Sequence, residues 1–276
     1  MAARRLFTAL VLLLAANAAL PADGVDSRTA NNNINYAFSS ELGSGVYELD
    51  GRYMQVYRLP LWWSLRSPEE DRPGLRFVMP VTFGFFDFTS KDVLTGDLPS
   101  NIGSFSIMPG LEMDYLWRGD WHFIPYVMAG TSFADKADDG WLFSTGVRLQ
   151  RSTRKGVIET LRLHELSLAM VHYRGETPDD RFVRIRQGIE WRRMLPVNPG
   201  SRRLVPGAYA LFDVVPDPPH VVTEGDTAGV VQFEAGLTLG LNPMPRLFGF
   251  DLPRIGLGYR LAGDFPGWRL VLGAPF

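Results

Sequence analysis

Cysteine is absent from the 276 residues, and this absence excludes two kinds of fold. A disulfide-stapled domain and a thiolate zinc site both require cysteine side chains. Positive charge is not in excess, because 28 lysines and arginines stand against 30 aspartates and glutamates. A domain that binds nucleic acid usually presents a basic surface, so we expect no nucleic-acid partner.

The sequence also lacks an apolar run long enough for a transmembrane helix; the apolar run near the start is too short. Arg4 and Arg5 precede the apolar stretch Leu6–Ala16, and Ala16-Asn17-Ala18 then supplies small residues. A spanning helix needs about 20 apolar residues, so we prefer a secretory signal peptide to an uncleaved anchor. We predict three regions: a signal peptide over 1–22 with cleavage near Ala18, a short lead over 23–33, and a barrel domain over 34–276.

The rest of the chain alternates apolar and polar residues with a period of two. In Val231–Asn242 the apolar side chains of Val231, Phe233 and Leu237 alternate with Gln232 and Glu234. Strands of a membrane β-barrel alternate in this way, because one face meets lipid and the other meets the lumen. We predict twelve antiparallel strands, with ten as the alternative, at 34–43, 53–66, 74–88, 104–117, 121–134, 140–152, 161–174, 181–194, 203–215, 230–242, 253–263 and 268–276.

Turn residues and aromatic residues punctuate these segments. Short turns such as Arg118-Gly119-Asp120 alternate with the longer connections Thr89–Gly103 and Val215–Gly229. Long loops on the extracellular side and short turns in the periplasm are typical of outer-membrane barrels. Aromatic residues near strand ends predict girdles at the membrane interfaces: Trp62, Trp63, Phe85, Phe86, Phe88, Trp117, Trp121, Trp141, Trp191 and Trp268.

The last segment, WRLVLGAPF, ends on Phe276. On an extended strand Trp268, Leu270 and Phe276 would share one face. A terminal phenylalanine on such a strand resembles the signal that outer-membrane barrels present to their assembly machinery. We therefore predict Phe276 as an assembly signal, although Pro275 is unusual within a strand.

Several blocks resemble the solitary outer-membrane autotransporter-type β-barrel family, whose barrels lack a passenger domain. The resemblance lies in YRLPLWWSL at 57–65, SFSIMPGLE at 104–112, VQFEAGLTL at 231–239, IGLGY at 255–259 and WRLVL at 268–272. It implies a twelve-strand barrel and no particular activity. About a dozen residues separate Ala22 from the first expected strand, too few for a passenger or for a helix that spans the lumen.

Charged residues fall on the faces that we assign to the lumen. The candidates are Arg148, Arg184, Arg186, Arg192, Arg254, Arg260, Arg269, Glu112, Asp114, Glu190 and Glu234. Glu41 and Glu165 are further candidates, on strands where the alternation does not settle which residues face the lumen. Opposite charges could pair and seal a narrow lumen, or separated charges could form a path for ions. The near balance of signs favours the sealed or partly sealed interior.

Catalytic groups are few. Ser167 lies three residues after His164, so the two side chains point to opposite faces of a strand and do not form a nucleophile–base pair. The acidic loops around Asp138 and Asp179 lack an EF-hand pattern, and we interpret them as solvated loops. We expect no catalytic residue, metal or cofactor.

The sequence thus predicts an exported outer-membrane protein of a Gram-negative bacterium that contacts membrane lipid and the assembly machinery. Its function is structural or interactive, or that of a narrow porin-like pore. A lipid-modifying or hydrolytic barrel enzyme that uses His164 or His172 is the alternative hypothesis. A periplasmic β-sandwich or lipocalin-like carrier is a different class of fold.

Overall fold

The computed structural model describes residues 44–49, 52–88, 103–134, 138–175, 178–196, 202–216, 230–244, 246–247, 250–251, 254–262 and 267–276. No helix within these ranges is long and apolar enough to cross a membrane.

The described chain is built from β-strands. They are β1 (Gly45–Leu49), β2 (Arg52–Arg66), β3 (Gly74–Phe88), β4 (Ser104–Ile107), β5 (Gly110–Trp117), β6 (Trp121–Ala134), β7 (Gly140–Lys155), β8 (Ile158–Tyr173), β9 (Asp180–Arg193), β10 (Arg203–Val215), β11 (Val230–Asn242), β12 (Arg246–Leu247), β13 (Phe250–Asp251), β14 (Ile255–Ala262) and β15 (Gly267–Leu272).

One antiparallel sheet closes on itself. Each strand from β7 to β10 pairs with its two sequence neighbours, and β11 pairs with β10 and β14. The strand β14 lies between β11 and β15, and β1 joins β15 to β2. The strands β4 and β5 together fill one position between β3 and β6, and β12 and β13 form a separate hairpin. The barrel therefore has twelve strands, as predicted. Among the described strands of the barrel, closure leaves no edge strand, which removes the usual template for aggregation.

The alternation of the sequence becomes an inner and an outer face. Along β8 the side chains of Leu161, Leu163 and Val171 are buried, whereas Arg162 and Met170, which alternate with them, are exposed. Successive side chains of a strand point to opposite faces of the sheet, so each strand has one face toward the inside of the barrel. Apolar residues occupy part of that inside, and small hydroxyl residues and the charged residues described below occupy other parts.

The fourth barrel strand is broken at Met108 and Pro109. Proline has no backbone N–H to donate to the ladder, and the Pro109 carbonyl instead accepts a bond from the Ala129 N–H at 3.0 Å. The Met108 N–H donates to the Pro80 carbonyl at 3.1 Å. The break leaves the register with β3 unchanged, so inner and outer faces keep their order along the whole segment.

The first strand differs from the prediction. The expected strand at 34–43 lies outside the described residues, and the strand that pairs with both β15 and β2 is β1 at Gly45–Leu49. The weakly alternating segment at 203–215 is β10, and it pairs along its full length with β11. Its inward residues Tyr209, Leu211 and Val215 are apolar or aromatic, which hides the alternation in the sequence.

The end of the chain also differs from the prediction. The strand β15 ends at Leu272, and Gly273 adopts a φ of 102°, which glycine tolerates because it has no Cβ. The chain then turns into the barrel, where a Cβ added at Gly188 would lie 2.6 Å from Cδ1 of Phe276. The expectation that Phe276 shares the outer face with Trp268 and Leu270 is therefore wrong.

Large apolar side chains cover the outer face. Leu237 is 68 % exposed, and Leu261 and Trp268 are each 57 % exposed. Trp117 and Trp191 lie near the barrel end that carries the turns 67–73, 118–120 and 156–157, which we call the turn end. Trp141 and Trp268 lie near the opposite end. Trp62 departs from the predicted girdle, because it lines an internal cavity with Arg76 over its ring at 5.2 Å.

The close approach of β6 to the broken strand generates a prediction about Gly130. A Cβ at this position would overlap the carbonyl oxygen of Ile107 and lie 2.7 Å from Cα of Met108. We expect Gly130→Ala to lower the free energy of unfolding by about 1–3 kcal/mol, because the backbone must shift to admit the methyl group.

The measurement is urea unfolding of the barrel refolded in lipid vesicles. Ala129→Val is the matched control, because Ala129 is the next residue, faces outward and is exposed. We expect a change below about 0.5 kcal/mol for the control. Equal stability of Gly130→Ala and wild type would contradict this description of the break.

Candidate functional site

Arginines and carboxylates on the inner face of the barrel form several groups of ion pairs. We call these groups together the charge belt. Its members are Arg76 on β3, Glu112 on β5, Arg148 on β7, Glu165 on β8, Arg184 and Arg186 on β9, Asp213 on β10, Glu234 on β11, Arg260 on β14 and Arg269 on β15.

Strand register creates the belt. Arg186 lies directly opposite Asp213, and its Nε and Nη2 donate to the two carboxylate oxygens at 2.7 Å each. Such a two-bond pair is the strongest arrangement between arginine and a carboxylate. Three further pairs are directly opposite in register: Arg76 with Glu112, Arg148 with Glu165, and Arg260 with Glu234.

One part of the belt connects Glu112 to Glu165. Arg76 Nη1 lies 3.1 Å from Glu112 Oε2, and Arg148 Nη2 donates to the other oxygen of Glu112. Arg148 Nε is 3.8 Å from Glu165 Oε1, and the Tyr126 hydroxyl donates to the same oxygen at 2.9 Å. The Arg148 guanidinium also lies over the Tyr126 ring at 4.8 Å, which is a cation–π contact.

Another part of the belt surrounds Glu234, whose side chain is 1 % exposed. Tyr209 donates its hydroxyl to Glu234 Oε1 at 2.6 Å, and Arg269 Nη1 donates to the same oxygen at 2.9 Å. Arg260 Nε donates to Oε2 at 2.9 Å. Arg269 Nη2 in addition donates to the Pro275 carbonyl at 2.7 Å, so the belt holds the inward-turned end of the chain.

A second group lies closer to the turn end and is centred on Glu190, which is fully buried. Arg192 donates from Nε and Nη2 to Glu190 Oε2 at 2.9 and 2.6 Å, and the Thr238 hydroxyl donates to Oε1 at 2.7 Å. Arg254 donates to the Thr238 hydroxyl at 2.7 Å and to the Val205 carbonyl at 3.0 Å. We call this group the Glu190 cluster.

Most of the predicted charged residues fall into these two groups. The belt contains Arg148, Arg184, Arg186, Arg260, Arg269, Glu112 and Glu234, and the Glu190 cluster contains Glu190, Arg192 and Arg254. Asp114 is apart from both, because its Oδ1 is 2.8 Å from Nδ1 of His122. Glu165, whose phase was uncertain, is a member of the belt, and Glu41 lies outside the described residues.

Two belt residues were missed from the sequence. Asp213 lies on β10, where the inward neighbours are apolar and give no polar alternation. Arg76 alternates with Leu75 and Phe77 near the start of β3, and this alternation was a signal that could have identified it. Tyr126 and Tyr209 contribute hydroxyl donors, but nothing in a single strand indicates which carboxylate they reach.

His164 and Ser167, which the enzyme hypothesis would need together, lie on opposite faces of β8. Ser167 is buried on the inner face of β8, whereas His164 is exposed on the outer face with its ring 5.9 Å from that of Trp121. His172 Nδ1 lies 2.8 and 2.7 Å from the carboxylate oxygens of Asp179. These positions suit interfacial and loop-end residues.

The two acidic loops carry carboxylates that could be metal ligands. Asp135 and Glu176, one from each loop, lie outside the described residues. Within the described part of the chain, no three His, Cys, Asp or Glu side chains are grouped so that they could hold a metal ion.

The closed ring of twelve antiparallel strands defines the class of the protein: it is a β-barrel with the fold of the outer-membrane autotransporter type. The crystal structure of the β domain of the Bordetella autotransporter BrkA has this fold, with a TM-score of 0.51 and 11 % sequence identity. The match covers 82 % of this chain and 92 % of that domain. No protein-family model and no curated protein matches the sequence. The resemblance to autotransporter-type barrels is therefore confirmed as a resemblance of fold.

The position of Glu234 generates a prediction about stability. Glu234→Gln keeps the shape of the side chain but removes the charge that compensates two buried arginines. We expect the free energy of unfolding to fall by about 3–5 kcal/mol, because the variant leaves a buried charge without its partner. Urea unfolding in detergent micelles, followed by tryptophan fluorescence, measures the change.

Glu159→Gln is the control for this measurement. The Glu159 side chain is 25 % exposed and its oxygen lies 3.8 Å from Arg192. Because water screens such a pair, we expect a loss below about 1 kcal/mol. Equal losses for the two variants would show that the belt contributes no more than a surface contact does.

Proposed function

We propose that the protein is an outer-membrane barrel of structural or interaction type, which acts without a passenger domain and whose interior is closed at rest. The observation that carries this proposal is the pairing of opposite charges directly across neighbouring strands. A lumen filled by paired side chains has no room for an extended passenger chain, and small barrels fill their interior in this way. The inward turn of 273–276 adds to the filling.

Location in the outer membrane is part of the proposal. It is supported by the apolar outer face, because a monomeric protein in water rarely exposes contiguous apolar patches larger than a few hundred Å². We propose that residues 1–22 direct export and are removed near Ala18. We propose further that the turn end faces the periplasm, and that β15, with Trp268 and Leu270 on its outer face, is the strand read by the assembly machinery.

Leu237 tests the membrane location. This residue is near the middle of β11 and is 68 % exposed. In lipid, Leu237→Arg should lower the free energy of unfolding by about 2–4 kcal/mol, because the arginine enters the hydrocarbon. In water, a surface substitution of this kind changes stability by less than about 0.5 kcal/mol.

Val157→Arg is the matched control for Leu237. Val157 is 56 % exposed and lies in the turn between β7 and β8, outside the sheet. We expect little change for this variant in reversible unfolding from phosphatidylcholine vesicles. A neutral Leu237→Arg in the same vesicles would refute the membrane location.

A narrow pore is a second candidate function, and a specific observation favours it. A cavity of about 280 Å³ lies inside the barrel between Arg58, Glu112 and Phe276. If this cavity were to connect both ends of the barrel, charged side chains would select the ions that pass.

Conductance across a planar lipid bilayer separates the two functions. The sample is the refolded protein without residues 1–22, whose insertion is established by the heat-dependent shift of folded barrels on gels. We expect no stable single-channel steps, because paired side chains close the lumen. Reproducible steps that scale with the amount of inserted protein would contradict the closed interior and would establish the pore.

A further inference from the structure

The outer face of the barrel carries two arginines side by side. Arg151 on β7 and Arg162 on β8 are direct cross-strand neighbours. Both point outward, because Leu161 and Leu163, which flank Arg162, are buried inside the barrel. Like charges directly opposite each other on one face of a sheet are destabilising. An anion that contacts both guanidinium groups would remove this repulsion.

The protein supplies little negative charge at this pair. Arg151 Nη2 lies 3.6 Å from Oδ2 of Asp120, which is itself 67 % exposed, and the buried Nε of Arg151 makes no hydrogen bond within the described part of the chain. Arg162 has no ion-pair partner among the described residues. Glu159 is on the opposite face of β8, where the Ser152 hydroxyl donates to it at 2.8 Å. The pair therefore retains positive charge that a ligand can neutralise.

The pair lies at one boundary of the apolar band of the barrel. Trp141 is ten residues from Arg151 along β7, and His172 is ten residues from Arg162 along β8. A tilted strand crosses the hydrocarbon of a membrane in about 9–11 residues. The outward side chains between Arg162 and His172 are His164, Leu166, Leu168 and Met170. The two arginines are thus at the level of the lipid headgroups, just beyond the hydrocarbon.

Indole rings border the pair at the same level. Trp121 is directly opposite Arg151 on β6, and the guanidinium lies over its ring at 5.7 Å. Trp191 is 45 % exposed and is opposite Thr160, two residues from Arg162. Tryptophan prefers the boundary between membrane and water. Rings and guanidinium groups therefore agree in placing this surface at the membrane interface.

We infer that Arg151 and Arg162 bind the phosphate of an anionic glycerophospholipid in the leaflet at the turn end. Phosphate oxygens are acceptors that match guanidinium groups in geometry and charge. A lipid holds its phosphate at this level while its chains lie along the apolar outer face, so it makes contacts that a free phosphate lacks. A net negative headgroup complements two neighbouring cations better than a zwitterionic one. The inference rests on the proposed membrane location and adds the class of lipid that the surface selects.

Native mass spectrometry measures which lipid stays bound to the barrel. The refolded protein without residues 1–22 is held in maltoside micelles with equal amounts of phosphatidylglycerol and phosphatidylcholine that carry the same acyl chains. We expect the protein to retain phosphatidylglycerol in preference to phosphatidylcholine. An excess of inorganic phosphate should not displace the lipid. Displacement by inorganic phosphate would assign the site to a free anion and so contradict the inference.

Two variants and a control make the result specific. Arg151→Gln and Arg162→Gln should each lower the retention of phosphatidylglycerol about fivefold, the weight of one basic residue at an anionic lipid surface. Arg154→Gln is the matched control, because Arg154 is exposed near the same end of β7 but lies on the other face, opposite Glu159. It should retain the lipid as wild type does. Equal losses from Arg154→Gln and Arg162→Gln would overturn the inference, since net charge alone would then explain the preference.

The repulsion between the two arginines provides a second measurement. In uncharged maltoside micelles, Arg162→Gln should raise the urea midpoint of unfolding, because it separates two like charges. In phosphatidylglycerol vesicles the same variant should lower the midpoint, because it removes a contact with the lipid phosphate. A shift of the same sign in both surroundings would contradict the site.

Failure of this inference can be told apart from failure of the membrane location. A barrel that inserts, as the heat-dependent gel shift shows, but retains both lipids equally would overturn the inference alone. A protein that does not insert into vesicles of either lipid would overturn the membrane location and the inference with it.

Discussion

The pairing of buried arginines with buried carboxylates is the constraint on which the interior depends. A charge that leaves water loses several kcal/mol of hydration, and it recovers them only beside an opposite charge with good hydrogen-bond geometry. In this barrel the requirement is met by register, since Arg186 and Asp213 are direct cross-strand neighbours with two bonds of 2.7 Å. Slipping one strand by one residue would send a charge to the apolar outer face. The charge belt thus fixes the register of the strands around it.

The outer face imposes the complementary requirement. Alternation means that every inward arginine or glutamate has outward neighbours, and along β11 these are Phe233, Leu237 and Leu239. Such a surface is tolerated where its surroundings are as apolar as the side chains themselves. The closed ring of strands satisfies the backbone hydrogen bonds without water, which is the condition for a β-structure within lipid. Charge inside and apolar surface outside are therefore two consequences of one period-two pattern.

The cavity shows where the interior departs from simple filling. On the side of β10, β11, β14 and β15, Tyr209, Glu234 and Arg260 are packed with exposed fractions of 2 % or less. On the side of β3, β5 and β7, Arg76 and Arg148 retain exposed fractions of 40 % and 21 %.

Much of the fold could be predicted from the sequence. Period-two alternation identified the strands because Val231–Asn242 and similar segments bury one face and expose the other. The same reasoning assigned Glu234 and Arg260 to one face, but it could not pair them, since pairing depends on which strands are neighbours and in what register. Asp213 was not predicted as a lumen residue, because its inward neighbours are apolar. The first strand was not predicted at Gly45–Leu49, because five residues are too few to show an alternation of apolar and polar side chains.

The inward turn at Gly273 has a similar explanation. Alternation extends through Phe276 in the sequence, but the positive φ of Gly273 ends the strand, and Arg269 bonds the Pro275 carbonyl inside the barrel. A pattern within one segment carries no information about a contact made across the lumen. Gly188, which leaves room for the Phe276 ring, is such a distant partner.

A double-mutant cycle on Arg186 and Asp213 tests the central claim most directly. The free energy of unfolding in lipid vesicles is measured for wild type, Arg186→Met, Asp213→Leu and the double variant. A buried cross-strand ion pair predicts that each single variant loses about 3 kcal/mol or more, and that the double variant recovers much of the loss. Losses that simply add would contradict the account, because they would show that the two side chains do not interact in the folded barrel.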